Sequence, residues 1–350
     1  MRPVAVDLFS GCGGLSEGLK QAGFDVRVAV EIDEETSKTY KLNHSETIMI
    51  NKDIKKVNHQ EILESVQGNK IDLIAGCPPC QGFSKIGNLQ KKGYDDERNE
   101  LILEFYRVIK EILPDFIMME NVPGLRNYEK FKWVVDELKS LGYFIDYRVV
   151  DIADYGVPQR RKRLVLLGSK LQLIQIPDKI NLPTKTVRDF IFHLPKPKES
   201  DDPFHKIHSS HSKKIEKIIS MIPRDGGSRK ELPKKYWLEC HKKENIGYSD
   251  VYGRLSWDKV SSTITGGCMN PSKGRFLHPE ENRSITAREA ALLQTFPQNY
   301  QFSVTKKVSL AQMIGNAFPP KFSEMQGKYI MDILKQSKVW AETTNRKLNN

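Results

Sequence analysis

The sequence lacks a long apolar run: none of its 350 residues fall in a window of about 18 uninterrupted apolar side chains. No membrane-spanning helix is therefore predicted. The beginning, Met1-Arg2-Pro3-Val4, also lacks the apolar core of a secretory signal. Cysteine is scarce and odd in number, at five, which argues against a disulfide framework. We expect a soluble cytoplasmic protein with reduced thiols, and the count leaves room for one reactive cysteine.

Acidic residues are fewer than basic ones, 44 against 55, which gives a formal net charge of +11. A basic balance suits a polyanion such as nucleic acid. Many basic proteins bind no nucleic acid, so charge alone decides little. Hydrophobic residues make up 39% of the chain, which is enough for a packed core and excludes disorder. The length suits two domains.

Short β-rich runs alternate with amphipathic segments from residue 3 to about residue 168. The predicted strands are Pro3–Phe9, Asp25–Val30, Ile71–Ala75, Phe116–Met119, Tyr147–Asp151 and Arg163–Leu167. Helical segments between them include Glu100–Leu113 and Lys130–Leu141. This alternation is typical of an α/β fold with a doubly wound parallel sheet.

The amino-acid composition of the chain changes near residue 170. Residues 171–250 hold 16 Lys and Arg against 11 Asp and Glu, together with five of the eight histidines and recurrent prolines. They predict a second, smaller and irregular domain with a basic face. Helical periodicity returns at Thr286–Phe296, Lys307–Gly315 and Phe322–Ser337, and the last ten residues are expected to be frayed.

A glycine-rich turn, Gly11-Cys12-Gly13-Gly14, follows the first strand, and Glu31 follows the second, twenty residues after Gly11. Such a turn lets a ligand approach a helix N-terminus, and an acidic side chain at that distance can accept hydrogen bonds from ribose hydroxyls. The pattern departs from the dinucleotide fingerprint, because its third glycine would fall at Ser16. A nucleotide-type site is predicted, and an ordinary tight turn is the alternative.

A stiff loop, Gly76-Cys77-Pro78-Pro79-Cys80-Gln81-Gly82-Phe83-Ser84, follows a buried strand at the sheet edge where doubly wound folds place their sites. Its C-x-x-C spacing raises zinc and redox alternatives. Zinc needs a second ligand pair, and Cys240-His241 matches poorly. A redox pair would not be expected to enclose Pro-Pro.

Two further motifs border strands. Glu120, in Met119-Glu120-Asn121-Val122, leaves an apolar run and is a candidate general acid. The basic run Gln159-Arg160-Arg161-Lys162-Arg163 could hold phosphates and polar base atoms, although such runs are usually solvated faces.

Together these motifs resemble the cytosine-5 DNA methyltransferase family of the bacterial restriction-modification type. The matching blocks, in the family's order over nearly the whole chain, are Phe9-x-Gly11-x-Gly13, Pro79-Cys80-Gln81, Glu120-Asn121-Val122, Gln159-x-Arg161-x-Arg163, Ser262-Thr263-Ile264-Thr265 and Gly315-Asn316-Ala317. The resemblance implies a Rossmann-like S-adenosylmethionine-dependent domain at residues 1–195 and 284–350. It implies a target-recognition domain at residues 196–283.

The resemblance also implies the chemistry. The target cytosine is flipped out of the duplex, Cys80 attacks carbon 6 and Glu120 donates a proton to ring nitrogen 3. Arg163 is expected to contact the base carbonyl and Arg161 to brace Glu120 or flanking phosphates, and these two roles could be exchanged.

The implied cofactor is S-adenosylmethionine, with S-adenosylhomocysteine as product and no metal. Its expected contacts are Phe9, Gly11, Cys12, Gly13, Gly14, Glu31, Ile32, Asp53, Ile54, Pro79, Leu101, Asn316 and Ala317. Expected DNA contacts are Gln81, Ser84, Asn121, Val122, Gln159 and Thr265, and candidate base readers include Arg224, Arg229, Lys230, Arg254, Asn270 and Lys273.

The expected partner is double-stranded DNA, with a cognate restriction endonuclease as a functional partner and a monomeric enzyme. Three alternatives stay open at this point. The first is a transfer RNA methyltransferase of the same fold, and the second is a binding module without catalysis. The third, a nicotinamide oxidoreductase, is disfavoured by Ser16 and has no use for Cys80.

Overall fold

The computed structural model describes residues 2–80, 100–179, 183–242 and 250–348. The chain divides into two compact units. The first comprises Met1–Asp151, Lys162–Ile180 and Phe318–Asn350, and the second comprises Ile152–Arg161 and Asn181–Ala317. The predicted division into a catalytic domain, residues 1–195 and 284–350, and a target-recognition domain, residues 196–283, stays a prediction. The compact units have different bounds, since residues 284–317 pack with the second unit.

The first unit contains a seven-stranded sheet in the order β3-β2-β1-β4-β5-β7-β6. Its strands are β1 (Val4–Leu8), β2 (Asp25–Val30), β3 (Ile48–Ile50), β4 (Ile71–Gly76), β5 (Phe116–Asn121), β6 (Phe144–Asp151) and β7 (Lys162–Ser169). The predicted doubly wound α/β fold is confirmed. The three-residue β3 is too short for its pattern to have been visible in the sequence.

One strand differs from the expected parallel sheet, because β7 runs antiparallel to both β5 and β6. The segment that joins β6 to β7 has ten residues, Ile152–Arg161 by the bounds of the second unit. A parallel return would need a crossover of about a dozen residues or more. The chain therefore reverses direction there.

The α-helices of the described residues are α1 (Gly14–Gln21), α2 (Glu34–Asn43), α3 (His59–Ser65), α4 (Leu101–Ile112), α5 (Glu129–Ser140), α6 (Val187–Ile191), α7 (Lys213–Met221), α8 (Ala287–Leu293), α9 (Lys307–Asn316) and α10 (Pro320–Leu348). The last of these continues through the segment expected to fray. No glycine or proline occurs between Lys328 and Leu348, so nothing in the sequence interrupts the helix. No helix among the described residues is long and apolar enough to span a membrane.

Packing in the first unit depends on a close approach between α1 and α10. A Cβ atom at Gly18 would lie 2.2 Å from the carbonyl oxygen of Pro320, so only glycine fits there. The hydroxyl of Ser323 donates to the carbonyl oxygen of Leu15 at 2.7 Å. The final helix is therefore bound to the helix that follows the glycine-rich turn.

The second unit is irregular, as predicted from its proline content, and is organised around buried polar side chains as well as an apolar cluster. The cluster contains Ile219, Leu232, Tyr252 and Leu277. Helix α8 begins with a capping box between Thr286 and Glu289, which fixes its start.

Candidate active site

The carboxyl ends of β1, β4 and β5 lie side by side in the first unit. Residues Val4–Leu8 pair in parallel with β4, and Gly76 of β4 is opposite Met119 of β5. The glycine-rich turn, the Cys80 loop and Glu120 follow directly from these ends. Parallel pairing therefore brings three motifs that are far apart in sequence to one edge of the sheet.

Glu31 closes the glycine-rich turn from the end of β2. Its carboxylate accepts the backbone N–H of Gly11 at 2.8 Å and that of Asp33 at 2.9 Å. Burial raises the pKa of Glu31, and these two backbone donors act in the opposite direction. An acid held in this way is suited to accept hydrogen bonds from ribose hydroxyls.

The turn itself requires an unusual backbone. Phe9, Gly11 and Gly13 all have positive φ angles, of 61°, 54° and 96°. A Cβ atom at Gly11 would meet nothing within 4 Å, so the turn borders open space. Helix α1 begins at Gly14, and its N-cap residue, Gly13, makes no side-chain cap, so this helix N-terminus directly follows the turn.

The other expected cofactor contacts in this unit differ in exposure. Ile32 is 66% exposed, which leaves its side chain available to pack on a flat ring. Ile54 is buried, and the carboxylate of Asp53 accepts the backbone N–H of Lys55. Burial raises the pKa of the Cys12 thiol to about 12. Leu101 packs against the core at the start of α4.

Ser16, the departure from the dinucleotide fingerprint, has a structural reason. Its hydroxyl donates to the buried carboxylate of Asp7 at 2.6 Å and lies 2.7 Å from the hydroxyl of Tyr40. Burial raises the pKa of Asp7 to about 7, and the bond from Ser16 partly offsets this. Sequence reasoning missed Asp7 and Tyr40, since a polar residue within an apolar strand gives no distinct signal.

The Cys80 loop is attached to β5 next to Glu120. The side-chain amide of Asn121 donates to the carbonyl oxygen of Pro78 at 2.8 Å. Pro79 is exposed, and the half-buried Cys80 packs against the core of the first unit. The two motifs are thus held together by backbone register and by this amide.

Cys77, the other cysteine of the loop, contacts the acid. It follows Gly76 directly, and the carboxylate of Glu120 is one of the groups that act on its thiol. Burial and the neighbouring carboxylates raise the pKa of Cys77 well above its ordinary value. Since thiolate is the nucleophilic form, Cys77 is poorly suited to nucleophilic attack. All five cysteines lie within the described residues, and none forms a disulfide.

Glu120 is only 8% exposed and forms an ion pair with Arg163, whose Nε lies 2.5 Å from Oε1. Arg163 therefore makes the contact with Glu120, which is the exchanged assignment of the two arginines that the sequence left open. Arg163 reaches the acid because it lies on β7 opposite Val150 and close to the end of β5.

Arg161 and Gln159 belong to the second unit, where their side chains are bound internally. Arg161 is buried and donates to the carbonyl oxygens of Ile264 and Gly315. Gln159 is fully buried, and its amide oxygen accepts the N–H of Ile264. These contacts link three of the six motifs, and they correct the expectation that Gln159 and Arg161 present free side chains to DNA.

The side chains that were predicted to read DNA bases differ in their exposure to solvent. Arg224 is exposed, as are Lys230, Asn270 and Lys273. Arg254 is 0% exposed and donates to four backbone carbonyls and one side-chain amide, so its predicted contact with bases is corrected to a packing role. Arg229 is also buried, at 4% exposure, and does not present its side chain to DNA.

The remaining predicted contacts have these positions. Val122 and Thr265 are half-buried, Asn316 is exposed, and Ala317 is the last residue of the second unit. Gln81 and Ser84 lie outside the described residues. Within the described part of the chain, no group of three or more His, Cys, Asp or Glu side chains is placed to hold a metal ion.

The sequence is similar to those of known proteins. A protein of Herpetosiphon aurantiacus named Type II methylase M.HgiDII is 38% identical over 342 residues, which cover 94% of this chain and 95% of that protein. Type II methyltransferase M1.HphI of Haemophilus parahaemolyticus is 34% identical over 325 residues, covering 91% and 84%.

Solved structures give the same result. The crystal structure of a DNA modification methyltransferase encoded within a prophage (E. coli) matches with a TM-score of 0.73 and 29% identity, covering 95% of this chain and 99% of that one. The S. pombe Dnmt2 methyltransferase matches with a TM-score of 0.67 at 19% identity, which shows the fold alone. Residues 4–332 match C-5 cytosine-specific DNA methylase, and the chain belongs to that family.

Proposed function

We propose that this DNA (cytosine-5)-methyltransferase transfers a methyl group from S-adenosylmethionine to carbon 5 of cytosine within one duplex sequence, through a covalent adduct with Cys80. The observation that carries the proposal is the side-by-side placement of the Cys80 loop and Glu120 at the ends of β4 and β5. Covalent catalysis needs a nucleophile and an acid held at a fixed separation around one ring.

The glycine-rich turn fits the proposed cofactor. Open space beside Gly11 provides room for the cofactor, the start of α1 provides the positive end of a helix, and the carboxylate of Glu31 provides a ribose acceptor. The exposed Ile32 is available to the adenine ring. When bound, S-adenosylmethionine supplies an electrophilic methyl group.

The chain's own residues act on the cytosine. The target base must leave the duplex stack, since its ring atoms are hidden there. The thiolate of Cys80 adds to carbon 6 while Glu120 delivers a proton to nitrogen 3, which makes carbon 5 nucleophilic. After methylation, loss of the carbon 5 proton to a base such as water expels Cys80 and restores the aromatic ring.

Arg163 positions the acid during these steps. Its guanidinium forms an ion pair with Glu120 and so holds the carboxylate in place. A charged donor next to the carboxylate also stabilises the anion that remains after the proton has been given to the base.

The proposed biological setting is a restriction-modification system with a cognate restriction endonuclease that cuts the same DNA sequence. The support is the naming of relatives such as M.HgiDII and M1.HphI as type II enzymes. Specificity would come from the second unit, where the exposed Arg224 is one of the candidate base readers.

The test is to incubate the protein with tritiated S-adenosylmethionine and unmethylated duplex DNA, with transfer RNA in a parallel reaction. Wild-type protein should label carbon 5 of cytosine in DNA. Cys80→Ser should abolish the label, and Cys240→Ser, which changes an exposed cysteine of the second unit, should retain it. Label in transfer RNA alone, or equal labelling by Cys80→Ser, would overturn the proposal.

A further inference from the structure

A short turn after β3 carries two of the expected cofactor contacts. Asp53 precedes the single 3₁₀ turn Ile54–Lys56, and its carboxylate accepts the backbone N–H of Lys55 at 3.1 Å. Ile54 is buried, whereas Lys55 and Lys56 are exposed. One turn of 3₁₀ helix is short and has poor hydrogen-bond geometry, so contacts from other elements must set its position relative to the sheet.

Arg107, on α4, supplies such a contact. Its Nη2 donates to the carbonyl oxygen of Ile54 at 2.9 Å and to that of Val57 at 3.1 Å. Ile54 begins the turn and Val57 caps its end, so a single nitrogen joins the two ends. These bonds cross 53 and 50 positions of sequence and tie the turn to α4.

The direction of the guanidinium is fixed by α4 itself. Its Nε donates to the carboxylate of Glu104 at 2.8 Å, and its Nη1 donates to that of Glu111 at 3.0 Å. Glu104 lies three positions before Arg107 and Glu111 four positions after it, so all three side chains lie on one face of the helix. The three nitrogens thus have separate acceptors, and Nη2 is the one that reaches the turn. A lysine has a single ammonium group and cannot reproduce this arrangement.

We propose that Arg107 is a positioning residue for S-adenosylmethionine, and that it holds the turn where Asp53 and Ile54 meet the adenine ring. The inference rests on the proposed function, since it needs that cofactor. Helix α4 begins at Leu101, a further expected cofactor contact, so the guanidinium also fixes the spacing between Leu101 and the turn. In this role Arg107 acts through the turn and touches neither the cofactor nor the cytosine.

The expected effect is on cofactor affinity and not on rate. The adenine does not change during methyl transfer, so a contact with it stabilises the bound cofactor and the transition state equally. Arg107→Met removes the donors and keeps an apolar stem. It should weaken binding of S-adenosylhomocysteine about tenfold, roughly the effect of one charged hydrogen bond. Single-turnover methyl transfer at saturating S-adenosylmethionine should change less than about twofold.

Isothermal titration calorimetry of the full chain with S-adenosylhomocysteine measures this affinity. Lys110→Met is the matched control, because Lys110 is an exposed cation on the same helix and its loss should leave the affinity unchanged. Arg107→Lys keeps the charge beside Glu104 and Glu111 and should weaken binding about threefold or more. This variant gives the same comparison if Arg107→Met does not fold.

A double-mutant cycle tests whether Arg107 acts through the turn. In an Asp53→Ala background, Arg107→Met should weaken binding by about threefold or less, because much of the contact that Arg107 positions is then absent. Wild-type affinity in both Arg107 variants, or an undiminished effect in the Asp53→Ala background, would overturn the inference. Failure of the wild type to bind S-adenosylhomocysteine would instead overturn the proposed function.

Discussion

Replacing Arg254 by methionine should lower the stability of the second unit and should leave the recognition of DNA bases unchanged. The guanidinium makes five hydrogen bonds, at 2.6 to 3.1 Å, to the carbonyl oxygens of Ile219, Ile222, His278 and Glu281 and to the side chain of Asn282. These acceptors come from α7 and from the segment before α8. The side chain therefore ties together parts of the unit that few backbone bonds connect.

The magnitude follows from two opposing contributions. Five bonds from a charged donor, at about 1.5 kcal/mol each, stabilise the unit by roughly 7 kcal/mol. Burial lowers the pKa of Arg254 to about 10 from 12.5, which corresponds to a cost of about 3 kcal/mol for keeping the charge inside. The substitution should thus lower the free energy of unfolding by about 4 kcal/mol.

Urea unfolding followed by tryptophan fluorescence measures this change, since Trp237 and Trp257 both lie in the second unit. A loss of about 4 kcal/mol should move the midpoint by about 2 M urea. Hydrogen exchange should locate the loss in peptides that contain Lys213–Met221. Arg224→Met is the matched control, because Arg224 is exposed and its charge acts against that of Arg254.

The reasoning would be refuted if the Arg254 variant kept its stability within about 1 kcal/mol and instead changed the DNA sequence that is methylated. That result would support the prediction from sequence that Arg254 reads DNA bases. Reduced DNA affinity of Arg224→Met with unchanged stability would support the division of the two arginines.

Three further outcomes are expected. Burial opposes ionisation of Glu289, but hydrogen bonds from Arg283 lower its pKa from 4.5 to about 2. The ionised carboxylate therefore contributes about 3 kcal/mol of stability above pH 4.5, and this contribution should be lost on acidification towards pH 2. Urea unfolding measured against pH should show the loss in the wild type and not in Glu289→Gln. Gly315→Ala places a Cβ 2.1 Å from backbone atoms and should cost more than about 2 kcal/mol, whereas Gly266→Ala, whose new Cβ meets a flexible side chain at 3.3 Å, should cost less than about 1 kcal/mol in the same assay. Cys77→Ala removes the thiol beside the Glu120 carboxylate and should slow single-turnover methyl transfer about fivefold with unchanged DNA affinity, whereas Cys77→Ser, which can donate to that carboxylate, should retain most of the rate. Equal rates for both variants would exclude a positioning role.

The α/β fold and the motifs of the candidate active site could be predicted from the amino-acid sequence alone. Strands can be recognised in the sequence because buried parallel strands are nearly continuous apolar runs, as in β1 and β4. The turn after β1, the Cys80 loop and Glu120 each follow such a run directly, so their place at the sheet edge could be predicted before any contact was known.

Which arginine side chains face solvent and which are bound inside the protein depends on the tertiary packing. Arg161, Arg163, Arg224 and Arg254 are chemically the same in the sequence, and each can bind phosphates, bases or buried carbonyls. Arg163 contacts Glu120, Arg161 and Arg254 bind carbonyl oxygens inside the second unit, and Arg224 is exposed. The partners of these side chains lie up to 156 positions away along the chain, as between Arg161 and Ala317. No local pattern encodes such distances, because the choice between solvent and interior is made by packing of distant segments.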